Sequence, residues 1–360
     1  MKEITMRTEK MKKLAVVMLA GLILTGCFAR TTSPEKEEVV KMIFETDMGN
    51  DVDDALALDL IYKYAEAGNV DLLAVMSNKN SSFSAGFIDL MGTWYGHADV
   101  PVGIVAEGVD SEHDAVNYAR VVCELKENGR PVFEPALPEH ESLPEAPLLY
   151  RRILAQQPDR SVTIVSVGFS TNLARLLDTP ADDYSLLTGK DMVAAKVKLL
   201  VVMAGSFSAD SLKEYNIIKD IPSAKKVFDQ WPGPIVASPF EVGRSILYPG
   251  ASIMNDFNWG LRHPLVEAYK VYLEMPYDRP TWDLTAVLYA AEPDSTYMTV
   301  SEKGMISVTD EGYTFFEPDR NGRHVYLSVN EAQAERIRDR FISLITRKPL
   351  KYKSAAVKMN

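Results

Sequence analysis

Four aspartates, Asp47, Asp51, Asp53 and Asp54, fall within eight residues, with Gly49 among them. Carboxylates this close repel one another, and a chain tolerates them in two settings: around a cation, or facing open water. The first setting suits a hard metal ion that takes many oxygen ligands. The second is a solvated helix start, where aspartate is favoured as a cap and in the first turn. A helix start accounts well for Asp53 and Asp54. It accounts poorly for Asp47, which precedes the glycine and follows the apolar run Val39–Phe44.

Further polar groups follow other apolar runs. Val70–Met76 leads into Ser77-Asn78-Lys79-Asn80-Ser81-Ser82, whose amides and hydroxyls both donate and accept, as a polyol or sugar requires. Ser161–Val167 leads into Gly168-Phe169-Ser170-Thr171-Asn172, read equally well as a plain strand-to-helix turn. Lys196–Met203 leads into Ala204-Gly205-Ser206, with Glu214-Tyr215-Asn216 close behind. Arg279-Pro280-Thr281-Trp282-Asp283 opens a helix; alone, Asp283 is read as a cap and Trp282 as a packing residue. The five histidines are scattered away from these segments, and there is no CxxC pair, HExxH or Walker-type loop, so zinc and nucleotide-phosphate cradles are disfavoured.

The elements that would position these groups alternate. Strands are expected at Val39–Phe44, Val70–Met76, Val100–Val105, Ser161–Val167, Lys196–Met203 and Pro234–Ala237. Helices are expected at Ser82–Tyr95, Glu112–Lys126, Ala146–Gln156, Thr171–Leu177, Ala224–Gln230, Asp283–Ala291 and Asn330–Thr346. Continuous apolar strands separated by helices predict an α/β fold: a mostly parallel central sheet flanked by helices. Glu302–Leu327 departs from this and reads as a small antiparallel hairpin region near the C-terminus. In open sheets of this kind, ligands bind beyond the carboxyl ends of the strands, where every polar segment above falls.

The N-terminus reads as targeting. Met11-Lys12-Lys13 precedes the apolar run Leu14–Leu24 and then Thr25-Gly26-Cys27. A basic region, a short apolar core and small residues before a cysteine resemble a bacterial lipoprotein signal. This implies a signal peptide over 1–26, lipidation of Cys27 and a flexible tether over 27–38, which leaves 39–350 for one large domain. The expected place is the cell envelope, periplasmic or surface-exposed, with the membrane contacted through the lipid anchor only. Removing the signal's net +3 from the chain's −11 leaves about −14, which argues against nucleic-acid binding. Cys123 then has no intramolecular partner and reads as a buried thiol.

Taken in order, these segments resemble the inosine–uridine-preferring nucleoside hydrolase family, from about Val40 to Arg347. The family's opening Asp-Thr-Asp-Pro-Gly-x-Asp-Asp corresponds to Glu45-Thr46-Asp47-Met48-Gly49-Asn50-Asp51-Val52-Asp53-Asp54, with Glu45 for the first Asp and two extra residues. The resemblance implies calcium-dependent hydrolysis of the N-glycosidic bond of ribonucleosides, giving ribose and free base, in purine salvage. It implies Ca2+ held by Asp47, Asp54, Asp283 and the Val167 carbonyl, with Asp47 also taking the proton of the attacking water. Asp53, Asn80, Met203, Glu214 and Asn216 would contact the ribose, Asn80 being reached by skipping one residue. The insertion leaves Asp51 and Asp53 interchangeable in this match. Trp282 stands where related enzymes have a base-protonating His, and its ring favours stacking on a purine. A homo-oligomer is compatible with all of this. The alternative function is a lipoprotein that binds a ribosyl compound without catalysis. A phosphatase with an Asp-x-Asp nucleophile is disfavoured, because Glu45 and Gly49 flank Asp47 at that spacing.

Overall fold

The strand before the acidic stretch, β1 (Val40–Thr46), is buried over most of its length on both faces. Residues of this kind are stable only between two layers, and the computed structural model supplies both. It describes residues 38–109, 116–133, 142–209, 212–259, 262–293 and 296–351. The expected signal peptide, Cys27 and all but the end of the tether lie outside the described residues. Val39–Asn360 forms one compact unit.

The main sheet contains β1, β2 (Val70–Ser77), β3 (Val102–Gly103), β4 (Val162–Ser166), β5 (Val197–Met203), β6 (Ile235–Ser238), β7 (Thr299–Val300), β8 (Gly304–Val308), β9 (Thr314–Pro318) and β10 (His324–Ser328). The helices are α1 (Asp53–Ala67), α2 (Ser82–Tyr95), α3 (Tyr118–Cys123), α4 (Ala146–Ala155), α5 (Thr171–Asp178), α6 (Gly189–Lys196), α7 (Tyr215–Lys219), α8 (Ile221–Gln230), α9 (Phe240–Arg244), α10 (Gly250–Asn255), α11 (Pro264–Tyr272), α12 (Trp282–Ala291) and α13 (Glu331–Ile345). The spatial order of strands is β9-β8-β10-β6-β5-β4-β1-β2-β3, with β7 on β10. Strands β1 to β6 run parallel.

The order β3-β2-β1-β4-β5-β6 is that of a doubly wound sheet. From β1 the chain winds outward one way through β2 and β3, and from β4 the other way through β5 and β6. A crevice opens where the winding reverses, between the carboxyl ends of β1 and β4. The residues there are Asp47 and Val167.

Phe44, Val75, Val165 and Val201 face one core, which takes Leu56 and Leu60 of α1, Leu284 and Leu288 of α12, and Ile337 and Phe341 of α13. Ile43, Ala74, Ile164 and Leu200 face the other, with Leu149 of α4, Leu173 of α5 and Phe228 of α8. Helix α1 is buried from Asp53 to Tyr64, so its acidic first turn is held inside the protein.

Three expectations change. The C-terminal strands β8 and β9 form the antiparallel hairpin, but β10 joins the main sheet parallel to β6. The helix expected over Glu112–Lys126 is confined, among the described residues, to Tyr118–Cys123, followed by a two-residue hairpin of Lys126–Glu127 with Arg130–Pro131. The expected strand Val100–Val105 shortens to β3, because only Val102 and Gly103 reach Val75 and Met76.

Candidate active site

At the crevice lies a cavity of about 330 Å3. Its lining includes the carboxyls of Asp47, Asp51, Asp53, Asp54 and Asp283, together with Val167, Met203, Glu214 and Asn216. Four aromatic residues, Tyr215, Phe240, Tyr272 and Trp282, complete the lining. All the substrate and metal residues expected from sequence line this cavity except Asn80.

The acidic turn is shaped by the backbone. Gly49 has φ +113°, a conformation that side chains strain. The turn is braced by Tyr118 of α3, whose hydroxyl accepts from Gly49 N at 3.0 Å and donates to the Asp51 carbonyl at 2.9 Å. Thr46 Oγ1 accepts from Met48 N at 3.1 Å and donates to Asp54 Oδ1. On the other side of the crevice, Gly168 makes room for Asp47. A Cβ there would lie 2.7 Å from Asp47 N and 2.5 Å from Asn78 Oδ1.

Oxygens of Asp53, Asp54 and Asp283 come within 4.8 Å of one another, and all three side chains are buried. Asp283, in the first turn of α12, donates its backbone N–H to Asp53 Oδ2 at 3.1 Å. Burial, then the neighbouring negative charges, push all three carboxyls well above the usual carboxylate range. The tightest trio therefore contains Asp53, which the sequence match placed on the sugar, while Asp47 stands beside it. The donor set fits a hard divalent cation: clustered carboxylates and a nearby carbonyl, with no histidine or cysteine.

Two further residues of the lining tie its segments together. Glu214 caps α7, accepting from Asn216 N at 2.8 Å, Ile217 N at 3.2 Å and Gly205 N at 3.2 Å. Burial nevertheless raises its carboxyl to about 7, against the pull of those hydrogen bonds. The Asn216 amide donates to the Val167 carbonyl at 2.9 Å and the Met203 carbonyl at 3.1 Å. A carbonyl has two lone pairs, so Val167 retains one for a further partner.

Among the aromatic residues, Trp282 Nε1 donates to the Phe240 carbonyl at 2.9 Å, and the two rings stack with centroids 5.5 Å apart. The Arg279 guanidinium lies over Tyr272 at 5.0 Å and over Trp282 at 5.3 Å. It grips Asp51 with two hydrogen bonds, from Nε at 2.8 Å and from Nη2. Asp51 is thus engaged with Arg279, which separates its role from that of Asp53.

Asn80 is a correction. It is exposed and does not line the cavity. Asn78, immediately after β2, is fully buried beside Gly168 and Asp47. Neither polar atom of its amide has a hydrogen-bond partner among the described residues. β2 reaches Ser77 in register with Thr46, so the first residue beyond it meets Asp47, and the third has already turned out to solvent. Sequence reasoning also missed Tyr118, Phe240, Tyr272 and Arg279. Tyr118 and Phe240 open α3 and α9, Tyr272 closes α11, and Arg279 precedes α12; an aromatic or guanidinium group at the end of an element is too common to single out.

The chain matches the family model described as inosine-uridine preferring nucleoside hydrolase over residues 42–339. Among solved structures it is similar to a plant nucleoside hydrolase, at 18% identity over 86% of this chain and 98% of that one, with a TM-score of 0.63. It is similar to a purine-preferring ribonucleoside hydrolase from Gardnerella vaginalis, at 16% identity over 85% and 98%, TM-score 0.62. It is also similar to an inosine-uridine preferring nucleoside hydrolase from Bacillus anthracis, at 18% identity over 86% and 98%, TM-score 0.57. At such identities the structural likeness speaks for the fold. No curated protein sequence is similar enough to count as a match.

Proposed function

This chain belongs to the inosine-uridine preferring nucleoside hydrolase family, whose members are N-glycosidases acting on ribonucleosides, and on that premise we propose that it is a calcium-dependent, purine-leaning ribonucleoside hydrolase. The observation that carries the reading is the cavity lined both by carboxylates at the switch point and by aromatic rings.

Breaking the bond between C1′ and the base nitrogen leaves positive charge on the ribosyl ring, as in glycoside hydrolysis generally. Asp47, Asp53, Asp54 and Asp283, all buried, surround the ribosyl ring with negative potential, which is worth more there than in open water. Asp47 takes the proton of the attacking water. Asp53, Asn78, Glu214 and Asn216 hold the ribose hydroxyls, with Met203 packed beside them. Tyr272, Phe240 and Trp282 hold the base, and their combined area favours the larger purine. Asp53, Asp54, Asp283, Asp47 and the Val167 carbonyl would hold the cation. When bound, calcium supplies positive charge that acidifies water and fixes diol oxygens.

We place the enzyme at the cell envelope on a lipidated Cys27, an assignment supported by the signal-like N-terminus alone. Radiolabelled fatty acid incorporated into the wild type but not into Cys27→Ser is the expected result. For the activity, a panel of ribonucleosides and their 2′-deoxy counterparts should be assayed for base release, with and without chelator. Purine ribosides are expected to turn over fastest, 2′-deoxy substrates weakly, and chelated protein not at all. Absence of release from every ribonucleoside with calcium present would overturn the reading. A riboside recovered intact from its complex after long incubation would point to binding without catalysis.

A further inference from the structure

The carboxylates of the cavity are served by a lysine that no part of the reaction above uses. Lys79 follows Asn78 after β2 and is 2% exposed. A buried ammonium is costly unless hydrogen-bonded or paired. Here the long stem carries it under the acidic turn, where Nζ donates to Asn50 Oδ1. Nζ lies 3.8 Å from the place a Gly49 Cβ would occupy. The other end of the same Asn50 amide donates to Asp47 Oδ2 at 2.6 Å. A continuous polar chain therefore runs from the Lys79 ammonium through one amide to Asp47. Arg279, the other cation nearby, is committed to Asp51. Among the described residues, Lys79 is thus a positive charge joined to Asp47 through Asn50, which lies in the stretch that carries the two extra residues.

We propose that Lys79 is a fixed counter-charge of the acidic site: it holds Asp47 in place through Asn50 and stands in for part of the cation's charge, so that it weakens the binding of a divalent cation. The inference rests on the reading of this cavity as a calcium site. Carboxylates crowded around β1 and α1 repel one another when no metal is present, and a nearby ammonium relieves that repulsion. The same ammonium repels an entering Ca2+. Lys79 is a positioning residue in this scheme and touches neither sugar nor base.

The test is calorimetric titration of metal-stripped full-length protein with calcium, in parallel with thermal unfolding with and without calcium. Lys79→Gln keeps an N–H for Asn50 while removing the charge, and Lys79→Met removes both. Both are expected to bind calcium more tightly, Lys79→Gln by about tenfold, the effect of one nearby charge in a partly wet site. The calcium-induced rise in Tm is expected to be larger in both than in the wild type, because ligand affinity and stabilisation are linked. Lys79→Arg is expected to stay within about twofold of the wild type, because it keeps the charge. A variant that unfolds without metal and refolds on calcium addition agrees with the inference. Unchanged or weaker calcium binding in both neutral variants overturns it, as does a variant left unfolded at saturating calcium. A wild type that gives no calcium heat at all overturns the cation-site reading itself, a distinct result.

Discussion

Replacing Glu45 by Gln should change how stability depends on pH, in a direction set by burial. Glu45 is fully buried on β1, turned toward the core that α4 and α5 complete. The Tyr150 hydroxyl donates to its Oε2 at 3.2 Å, while Oε1 has no hydrogen-bond partner among the described residues. Burial dominates these contacts and raises the carboxyl from its ordinary 4.5 to about 8. Because the folded-state value is raised, the native protein keeps a proton that the unfolded chain releases between those two values. Stability contributed by this group is therefore fully present below about pH 4.5 and is lost as pH rises toward 8. Full loss across that window is worth about 5 kcal/mol, at about 1.4 kcal/mol per pH unit, and relaxation around the charged form reduces it to about 2–5 kcal/mol. Gln keeps an acceptor for Tyr150 and cannot ionise. Urea unfolding of chelated wild type and Glu45→Gln, followed by circular dichroism from pH 5 to 9, isolates the term, because the other groups cancel in the difference. The wild type should lose about 2–4 kcal/mol relative to the variant over that range. Parallel curves within about 0.5 kcal/mol, or a difference of opposite sign, would refute the reasoning.

Three further outcomes are expected. Asn78→Ala should lower kcat/KM at least about tenfold, whereas Asn80→Ala should stay within about twofold, because only Asn78 is buried against Asp47; kinetics on one purine riboside decide between them. Tyr118→Phe removes the hydroxyl that joins Gly49 to Asp51, and thermal unfolding should show a loss of about 1–2 kcal/mol, with lower kcat from a looser turn. Gly168→Ala forces a methyl to 2.7 Å from Asp47 N, so kcat should fall at least about a hundredfold while far-ultraviolet circular dichroism remains native.

The acidic stretch and the strand-helix alternation were legible because each has a local cause, whereas Asp283 alone reads as a cap and joined the site only through the family resemblance. Apolar runs on both faces demand a buried strand, and acidic residues at the start of a buried helix demand a partner. The reversal between β1 and β4 was not legible, since pairing order depends on contacts far apart in the chain. Asn78 and Asn80 are two residues apart with similar neighbours, and only the end of β2 beside Thr46 decides which one faces Asp47. Asn50 and Asp51 lie in the stretch that is two residues longer than the family motif, where the match assigns them no settled role. Folded, Asn50 links Asp47 to Lys79, and Asp51 is gripped by Arg279, 228 positions along the chain. The family resemblance divided Asp53 from Asp54 and Asp283, which the fold brings together.

The most direct measurement is base release from a purine ribonucleoside by wild type and Asp47→Asn, with ribose and base quantified together. We expect equimolar ribose and base from the wild type, and a rate reduced at least about a thousandfold in the variant, which keeps the shape of the side chain and loses the base. No base from the wild type, or equal rates from the two proteins, would contradict hydrolysis at this cavity.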